Sequence, residues 1–167
     1  ATMQLLDKSR YAPYSGGFGI NASWKGITLN ADFSWNYGKY LVNNALVFLE
    51  DPSFAGSFNR TTNLMNAWKK PGDITDVPKF GEVCQFDTHL LEDASFLRLK
   101  NLTIGYDLPK TLLAKTGVLS GIRVYFTARN LFTCTGFTGY DPEIDSNLAL
   151  GNYPNSRQFV GGIQVTF

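Results

Sequence analysis

Alternation of apolar and polar residues is the most regular feature of this chain. Between positions 27 and 36 every second residue is apolar and the residues between them are polar, which is the period of a β-strand with two unlike faces. The same alternation runs through positions 18–25, and only Lys25 and Gly26 separate the two stretches. The pattern therefore predicts two antiparallel strands, at about 16–25 and 26–38, joined by a very short turn.

Three further stretches have the same period, at about 95–107, 121–132 and 157–167. In the first of them the apolar positions change parity between Leu99 and Leu102, so we expect a β-bulge near Lys100 or Asn101. The chain is thus predicted to be all-β and antiparallel, with five long strands.

The connections between these strands alternate in length. The first and third are short, whereas the second (40–93) and the fourth (132–157) are long. Tight periplasmic turns and large extracellular loops alternate in this way in outer-membrane β-barrels. We expect short helical segments within the connections, at 61–68 and 111–115.

A soluble β-sandwich has the same alternation, so the residue types on each face must separate the two folds. The polar face of 28–36 is small and mostly uncharged, as in an enclosed lumen, and aromatic residues lie near both ends of the hairpin. Aromatic residues make up 14% of the chain and charged residues only 17%, below the roughly 25% usual in soluble domains. Five strands alone leave two open edges, so we predict pairing with further strands of a barrel.

Charge and cysteine content narrow the functional classes. The net charge is +1 and the basic residues are scattered, so a nucleic-acid partner is not expected. Cys84 and Cys134 both lie in predicted loops and allow either one disulfide or two free thiols. The chain begins at Ala1 without an export signal, and from this we expect a fragment of a longer polypeptide.

No catalytic constellation is evident, and we predict that the chain is not an enzyme. His89 is the sole histidine and has no cysteine or serine motif nearby. Asp141, Glu143 and Asp145 offer oxygen ligands to a hard cation, but their spacing differs from that of a calcium loop and turn formation around Pro142 is favoured. No cofactor or metal is expected.

Four segments resemble the carboxy-terminal region of the SusC/RagA-type TonB-dependent transporters of Bacteroidetes. They are 63–78 (NLMNAWKKPGDITDVP), 92–109 (EDASFLRLKNLTIGYDLP), 122–143 (IRVYFTARNLFTCTGFTGYDPE) and 153–167 (YPNSRQFVGGIQVTF). The resemblance implies that residues 1–167 are the last five strands of a transmembrane barrel of roughly 22 strands. It also implies a plug domain outside this chain, a site in the bacterial outer membrane, and import of an oligosaccharide or a peptide. A SusD-like lipoprotein lid, TonB and membrane lipid are the implied partners.

The resemblance also assigns candidate residues. Lumen-facing candidates are Asp32, Arg123 and Arg129, where the arginines pair either with carboxylates of the plug or with strand neighbours such as Asp32. A carboxy-terminal assembly signal is formed by Gly162, Val165 and Phe167. The loop aromatics Trp68, Tyr140 and Tyr153 contact the solute or the lid, or pack within their own loops. The alternative function is a soluble β-sheet carbohydrate-binding module, which would need no detergent.

Overall fold

The computed structural model describes residues 7–54, 56–57, 59–75, 77–82, 88–114, 117–146 and 152–167. Five long strands form one antiparallel sheet in the order β1-β2-β5-β6-β7, and two short strands, β3 and β4, form a second sheet. The strands are β1 (Tyr14–Trp24), β2 (Ile27–Tyr37), β3 (Tyr40–Val42), β4 (Leu91–Asp93), β5 (Phe96–Asp107), β6 (Gly121–Thr135) and β7 (Gln158–Thr166). The helices are α1 (Asn44–Glu50) and α2 (Lys110–Leu113), with 3-10 turns at Pro52–Phe54, Thr62–Asn66 and Thr88–Leu90.

The turn between β1 and β2 consists of Lys25 and Gly26, both with positive φ (47° and 87°). Two consecutive residues with positive φ match the right-handed twist of the flanking strands, which is why such a short hairpin closes. Gly26 is required for a second reason, because a Cβ there would lie 2.8 Å from the backbone oxygen of Asp107 on β5. The turn therefore packs directly against the neighbouring strand.

The bulge expected from the parity change is present at Lys100. The pairing of β2 with β5 shifts between Asp32 and Phe33, and the pairing of β5 with β6 shifts between Leu99 and Asn101. On β6, Asn130 lies opposite this point with a φ of 50°, a left-handed conformation that asparagine tolerates better than most residues. The extra residues restore the apolar parity on both sides of the bulge, so one face stays apolar along the whole strand.

The two faces of the five-stranded sheet differ sharply in exposure and composition. The apolar face is uncovered along most of its length, and many of its side chains are more than 40% exposed, among them Phe18, Ile20, Ile104, Val124, Phe126, Phe159 and Ile163. Aromatic rings stack across strands on this face, as Phe18 does on Phe33 with 4.8 Å between centroids. No second sheet of the described residues covers it, so the sandwich arrangement is absent from this part of the chain.

Burial is concentrated where the long connections fold over one end of the sheet. Leu41, Ala94 and Phe137 form one small core, with Ile144 packed against it. Leu64, Ala67 and Val77 form a second core within the first long connection. No described helix has the length and apolar character needed to cross a membrane.

The all-β antiparallel prediction is confirmed, and several local predictions need correction. The first long connection is not a plain loop, because it begins with β3 and α1 and ends with β4. Strand β6 continues to Thr135, three residues beyond the predicted end, since its last residues pair with the start of β5. The predicted helix at 61–68 is a 3-10 turn, Thr62–Asn66, and the one at 111–115 is α2, with Lys115 outside the described residues.

For one of the two cysteines the structure decides between a disulfide and a free thiol. Cys134 is a free, exposed thiol at the end of β6. Cys84 lies outside the described residues.

Candidate functional site: the polar face and the clasp at its end

Polar side chains tie neighbouring strands together on the face opposite the apolar one. Arg123 lies across Gly105, which has no side chain to obstruct it, and donates from Nη2 to Thr28 Oγ1 at 2.8 Å. The carboxylate of Asp107 is 3.8 Å from Arg123 Nη1. Asp32, one of the alternative partners considered for the arginines, accepts a hydrogen bond from the side-chain amide of Asn101 at 3.3 Å. Arg123 is therefore held within the wall of the sheet by its own neighbours.

The other residues predicted on the strands are Arg129 on β6, Gly162 and Val165 on β7, and Phe167 directly after β7. Arg129 is exposed and pairs in register with Asn101 on one side and Gln158 on the other. Gly162 lies opposite Tyr125, whose ring covers it so closely that a Cβ would be 2.5 Å from the phenol. Val165 and Phe167 have the parity of the apolar face and are exposed.

A cluster of polar and charged side chains, with Arg98 and Asp141 buried at its centre, lies where this polar face meets the long connections. We call it the clasp, and its members are Arg98, Lys100, Asp141, Glu143 and Asn155. Arg98 is only 4% exposed, and it donates from Nη2 to Asp141 Oδ1 and from Nη1 to Glu143 Oε2, both at 2.6 Å. Its Nε donates to Thr133 Oγ1 at 2.8 Å. Lys100, at the bulge, pairs with the other oxygen of Glu143.

Asp141 joins the two ends of the second long connection. Its Oδ1 accepts the backbone N–H of Glu143 at 2.9 Å in addition to Arg98. Its Oδ2 accepts the backbone N–H of Asn155 at 2.8 Å and the side-chain amide of Asn155 at 3.0 Å. A single carboxylate thus holds residues 141 and 155 together and links both to Arg98 on β5.

The electrostatics explain why these charges remain in a buried place. Burial alone would raise the pKa of Asp141, but the hydrogen bonds from Arg98 and from the backbone of Asn155 and Glu143 outweigh it and hold the pKa below its ordinary value. Lys39 shows the opposite balance, because burial lowers its pKa although Asp145, Glu143 and Asp141 oppose the shift. Its ammonium group donates to the backbone oxygen of Ile144 at 2.8 Å.

A second polar link connects the two long connections with each other. Glu92 on β4 accepts hydrogen bonds from the hydroxyl and the backbone N–H of Thr138, both at 2.7 Å. The amide of Asn43 donates to Glu92 at 2.9 Å and to Thr138 at 3.0 Å. The segments above the sheet are therefore fixed to one another as well as to the strands.

The predicted loop aromatics occupy different positions around this framework. Tyr140 and Tyr153 are 67% and 95% exposed, and they lie close to the clasp in sequence, one residue before Asp141 and two residues before Asn155. Trp68 is half-buried in the first long connection, where its backbone N–H donates to Val77. The carboxylates of Asp141 and Glu143 in the DPEID motif act as hydrogen-bond acceptors. No group of three acidic, histidine or cysteine residues in the described part of the chain is placed to hold a metal.

Arg98 is the central residue that sequence reasoning missed. Its position in the FLRLK motif did carry a signal, because it has the parity of the polar face between two leucines of the apolar face. A buried arginine requires anionic partners, and DPE is an acidic motif that begins 43 residues further along the chain. Alternation alone does not say that these two segments meet.

Comparison with known proteins gives the context of this architecture. No family model matches the chain. The TonB-dependent receptor P3 of Formosa agariphila is 33% identical over 92% of this chain, and the TonB-dependent receptor SusC of Bacteroides thetaiotaomicron is 28% identical over 99% of it. The chain spans about 16% and 15% of the length of these two relatives.

A solved structure is more similar still. A chain in the structure of the RagAB peptide transporter superposes on 97% of this chain with a TM-score of 0.90 and 50% sequence identity, and 18% of its own length is covered. The same match is found in the "closed-closed" and "open-open" states of the RagAB peptide importer, with a TM-score of 0.89 in each.

The uncovered apolar face, the polar opposite face and these matches define a segment of an antiparallel β-barrel of the bacterial outer membrane. More specifically, this chain is homologous to part of the SusC- and RagA-type TonB-dependent receptors of the bacterial outer membrane. These relatives are receptors and importers, not enzymes.

Proposed function

We propose that this chain is the carboxy-terminal part of the barrel of a TonB-dependent transporter that imports a bulky nutrient. The observation that carries the proposal is the pair of unlike faces on one five-stranded sheet, together with 50% identity to a chain of a peptide transporter over nearly the whole length. The apolar face meets lipid and the polar face lines the lumen. The open edges of β1 and β7 pair with strands elsewhere in the same barrel.

Within that proposal a peptide is favoured over an oligosaccharide. Over the aligned region the chain from the peptide transporter is 50% identical to this chain, whereas SusC is 28% identical. The clasp and the exposed tyrosines beside it lie at the end of the sheet that carries the long connections, which we assign to the cell exterior. Asp32, Arg123 and Arg129 line the lumen and face the plug domain.

The same comparison supports the partners that we propose. A SusD-like lipoprotein closes over the long connections, and TonB supplies energy through the amino-terminal part of the transporter. Gly162, Val165 and Phe167 contribute the signal read during barrel assembly. Trp68, Tyr140 and Tyr153 contact the solute or the lid.

Deletion of the gene for the whole protein tests the proposed import. A deletion strain should lose growth when casein peptides are its only source of amino acids, and the wild-type gene should restore it. Growth on free amino acids is the matched control and should not change. If the deletion strain grows normally on casein peptides but fails to grow on maltodextrins, the imported nutrient is an oligosaccharide and not a peptide. Normal growth on both would contradict nutrient import.

Topology is tested separately with protease added to intact cells. We expect cleavage within 43–90 or 136–157, and none at the turn formed by Lys25 and Gly26. Cleavage at that turn in intact cells would invert the assigned orientation.

For the alternative soluble module, the expressed chain should stay in the supernatant after ultracentrifugation without detergent, whereas the barrel proposal predicts that it sediments.

A further inference from the structure

A cavity of about 340 Å³ lies against the clasp, between the second long connection and β6. Its volume falls in the range of roughly 300 to 1,000 Å³ that is typical of small-ligand sites. Tyr140, Pro142 and Pro154 contribute apolar surface, and Thr135, Asn155 and Arg157 contribute polar groups. The cavity is therefore neither a purely apolar groove nor a solvated cleft, and it is too small to be the footprint of a folded protein.

The floor of this cavity is preformed. Arg98 and Asp141 both line it. Arg98 donates hydrogen bonds to Asp141 and Glu143, and Asp141 also accepts one from Asn155. Because Asp141 joins the two ends of the segment 141–155, the walls carrying Tyr140 and Pro154 are held at a fixed separation. A site whose walls are already in place loses less conformational entropy when a ligand binds.

Arg157 is the cation that the clasp leaves free. It lies just before β7, is exposed, and forms no ion pair with any carboxylate in the described ranges. A guanidinium group at the edge of a cavity matches the geometry of a carboxylate, which accepts two parallel hydrogen bonds from it. The exposed ring of Tyr140 offers an aromatic surface at the same cavity.

We propose that this cavity is a binding subsite for a short segment of an acidic peptide. Arg157 binds a carboxylate of the peptide, Tyr140 packs against an adjacent side chain, and Asp141 acts as a positioning residue that keeps the two walls apart. The inference rests on the proposed function, because it names a place where the imported solute is held before it enters the lumen. An acidic peptide is preferred to a neutral sugar since the free charge at the cavity is a cation.

The test uses the whole purified transporter in detergent and two fluorescein-labelled peptides. One is rich in glutamate, and the other has glutamine at each of those positions. Arg157→Gln should weaken binding of the acidic peptide roughly tenfold, as expected for the loss of one well-placed charged contact. It should leave the affinity for the glutamine peptide unchanged. Lys79→Gln, which removes an exposed cation from the other long connection, is the matched control and should change neither affinity.

The positioning role of Asp141 is tested by comparison within the same segment. Asp141→Asn should weaken binding of both peptides, because the cavity wall is released, and a second loss should not appear when Tyr140→Ala is added to it. Asp145→Asn makes the same charge change at an exposed position and should have no effect on peptide affinity. Additive losses from Asp141→Asn and Tyr140→Ala would contradict the positioning role.

Three outcomes would overturn the subsite. They are no binding of either peptide by the wild-type transporter, equal affinity for the acidic peptide in the wild type and Arg157→Gln, and tighter binding of labelled maltodextrin than of the acidic peptide. If these variants left peptide affinity unchanged but reduced recovery of the co-expressed surface lipoprotein, the cavity would be a lid contact and the subsite would again be wrong. The growth assay reports on import independently, so acidic-peptide binding without peptide-dependent growth would reject import and retain the subsite.

Discussion

The two faces of the five-stranded sheet are built from the same strands yet are stabilised in different ways. On the apolar face, side chains such as Ile163 stand 69% exposed and contact mainly their cross-strand neighbours. On the polar face, hydrogen bonds connect adjacent strands, and the clasp joins one end of the sheet to the segments above it. The apolar face thus depends on a surrounding apolar medium, whereas the polar face carries its own internal contacts. The alternation of apolar and polar residues along each strand therefore determines which face a side chain lies on. The contacts that stabilise the polar face depend in addition on residues far apart in the sequence.

The clasp should give the largest effect when it is broken. Arg98→Met leaves Asp141 as a buried charge without its partner, which costs about 3 to 5 kcal/mol. We expect this cost to appear as release of the segment 136–157 from β5. The rate of protease cleavage of this segment in intact cells measures it. Arg129→Met removes an exposed arginine from the same face and should leave the rate unchanged. Equal cleavage rates in the two variants would show that the clasp does not hold the segment.

A charge introduced on each face in turn sharpens the comparison. Leu29→Arg places a charge on the apolar face at the third residue of β2 and should destabilise the barrel by about 1 to 2 kcal/mol, between the cost at the bilayer midplane and that at the interface. Asn30→Arg places the same residue on the polar face one position further on and should cost far less. Urea unfolding of the whole protein in lipid vesicles measures both. Equal losses of unfolding free energy would contradict the assignment of faces.

Glycines on neighbouring positions of β7 provide a smaller contrast. A Cβ at Gly162 would meet the phenol of Tyr125, whereas nothing lies within 4 Å of one at Gly161. Gly162→Ala should therefore cost about 1 to 3 kcal/mol through displacement of the ring. Gly161→Ala should not destabilise the barrel. Adding Tyr125→Ala to Gly162→Ala should remove most of the penalty, and failure of that rescue would point to a role of Gly162 other than accommodating the ring.

The pH dependence of the clasp should be small across the neutral range. The pKa of Asp141 is lower in the folded protein than in an unfolded chain, so its contribution is fully present above the ordinary aspartate pKa and is lost only as pH falls through the lowered value. Protease cleavage of 136–157 should accordingly stay constant from neutral to mildly acidic pH and rise only below the ordinary aspartate range. In Asp141→Asn the cleavage should already be fast at neutral pH. A rise centred above that range would assign the transition to another group.

The strands and the bulge were predictable because they depend on local periodicity. The parity change around Lys100 located the bulge, and the short turn at Lys25 followed from two adjoining alternating runs. The clasp was not predictable in this way, because Arg98 and Asp141 are 43 residues apart and nothing in the alternation specifies their meeting. The internal structure of the first long connection was missed for a related reason. Its small core of Leu64, Ala67 and Val77 forms from sparse apolar residues that show no regular period.

The assignment of one face to lipid and the other to the lumen is tested most directly by an accessibility scan along β6 in the whole protein in lipid vesicles. Both native cysteines are replaced by serine, and nitroxide labels are placed one at a time on cysteines introduced from position 123 to position 128. Labels at Val124, Phe126 and Ala128 should collide preferentially with oxygen, which concentrates in lipid, and labels at Arg123, Tyr125 and Thr127 with a water-soluble nickel complex. The two profiles should alternate with a period of two and in opposite phase. Equal access of the nickel complex to both sets, or the reverse phase, would contradict the assignment of one face to lipid and the other to the lumen.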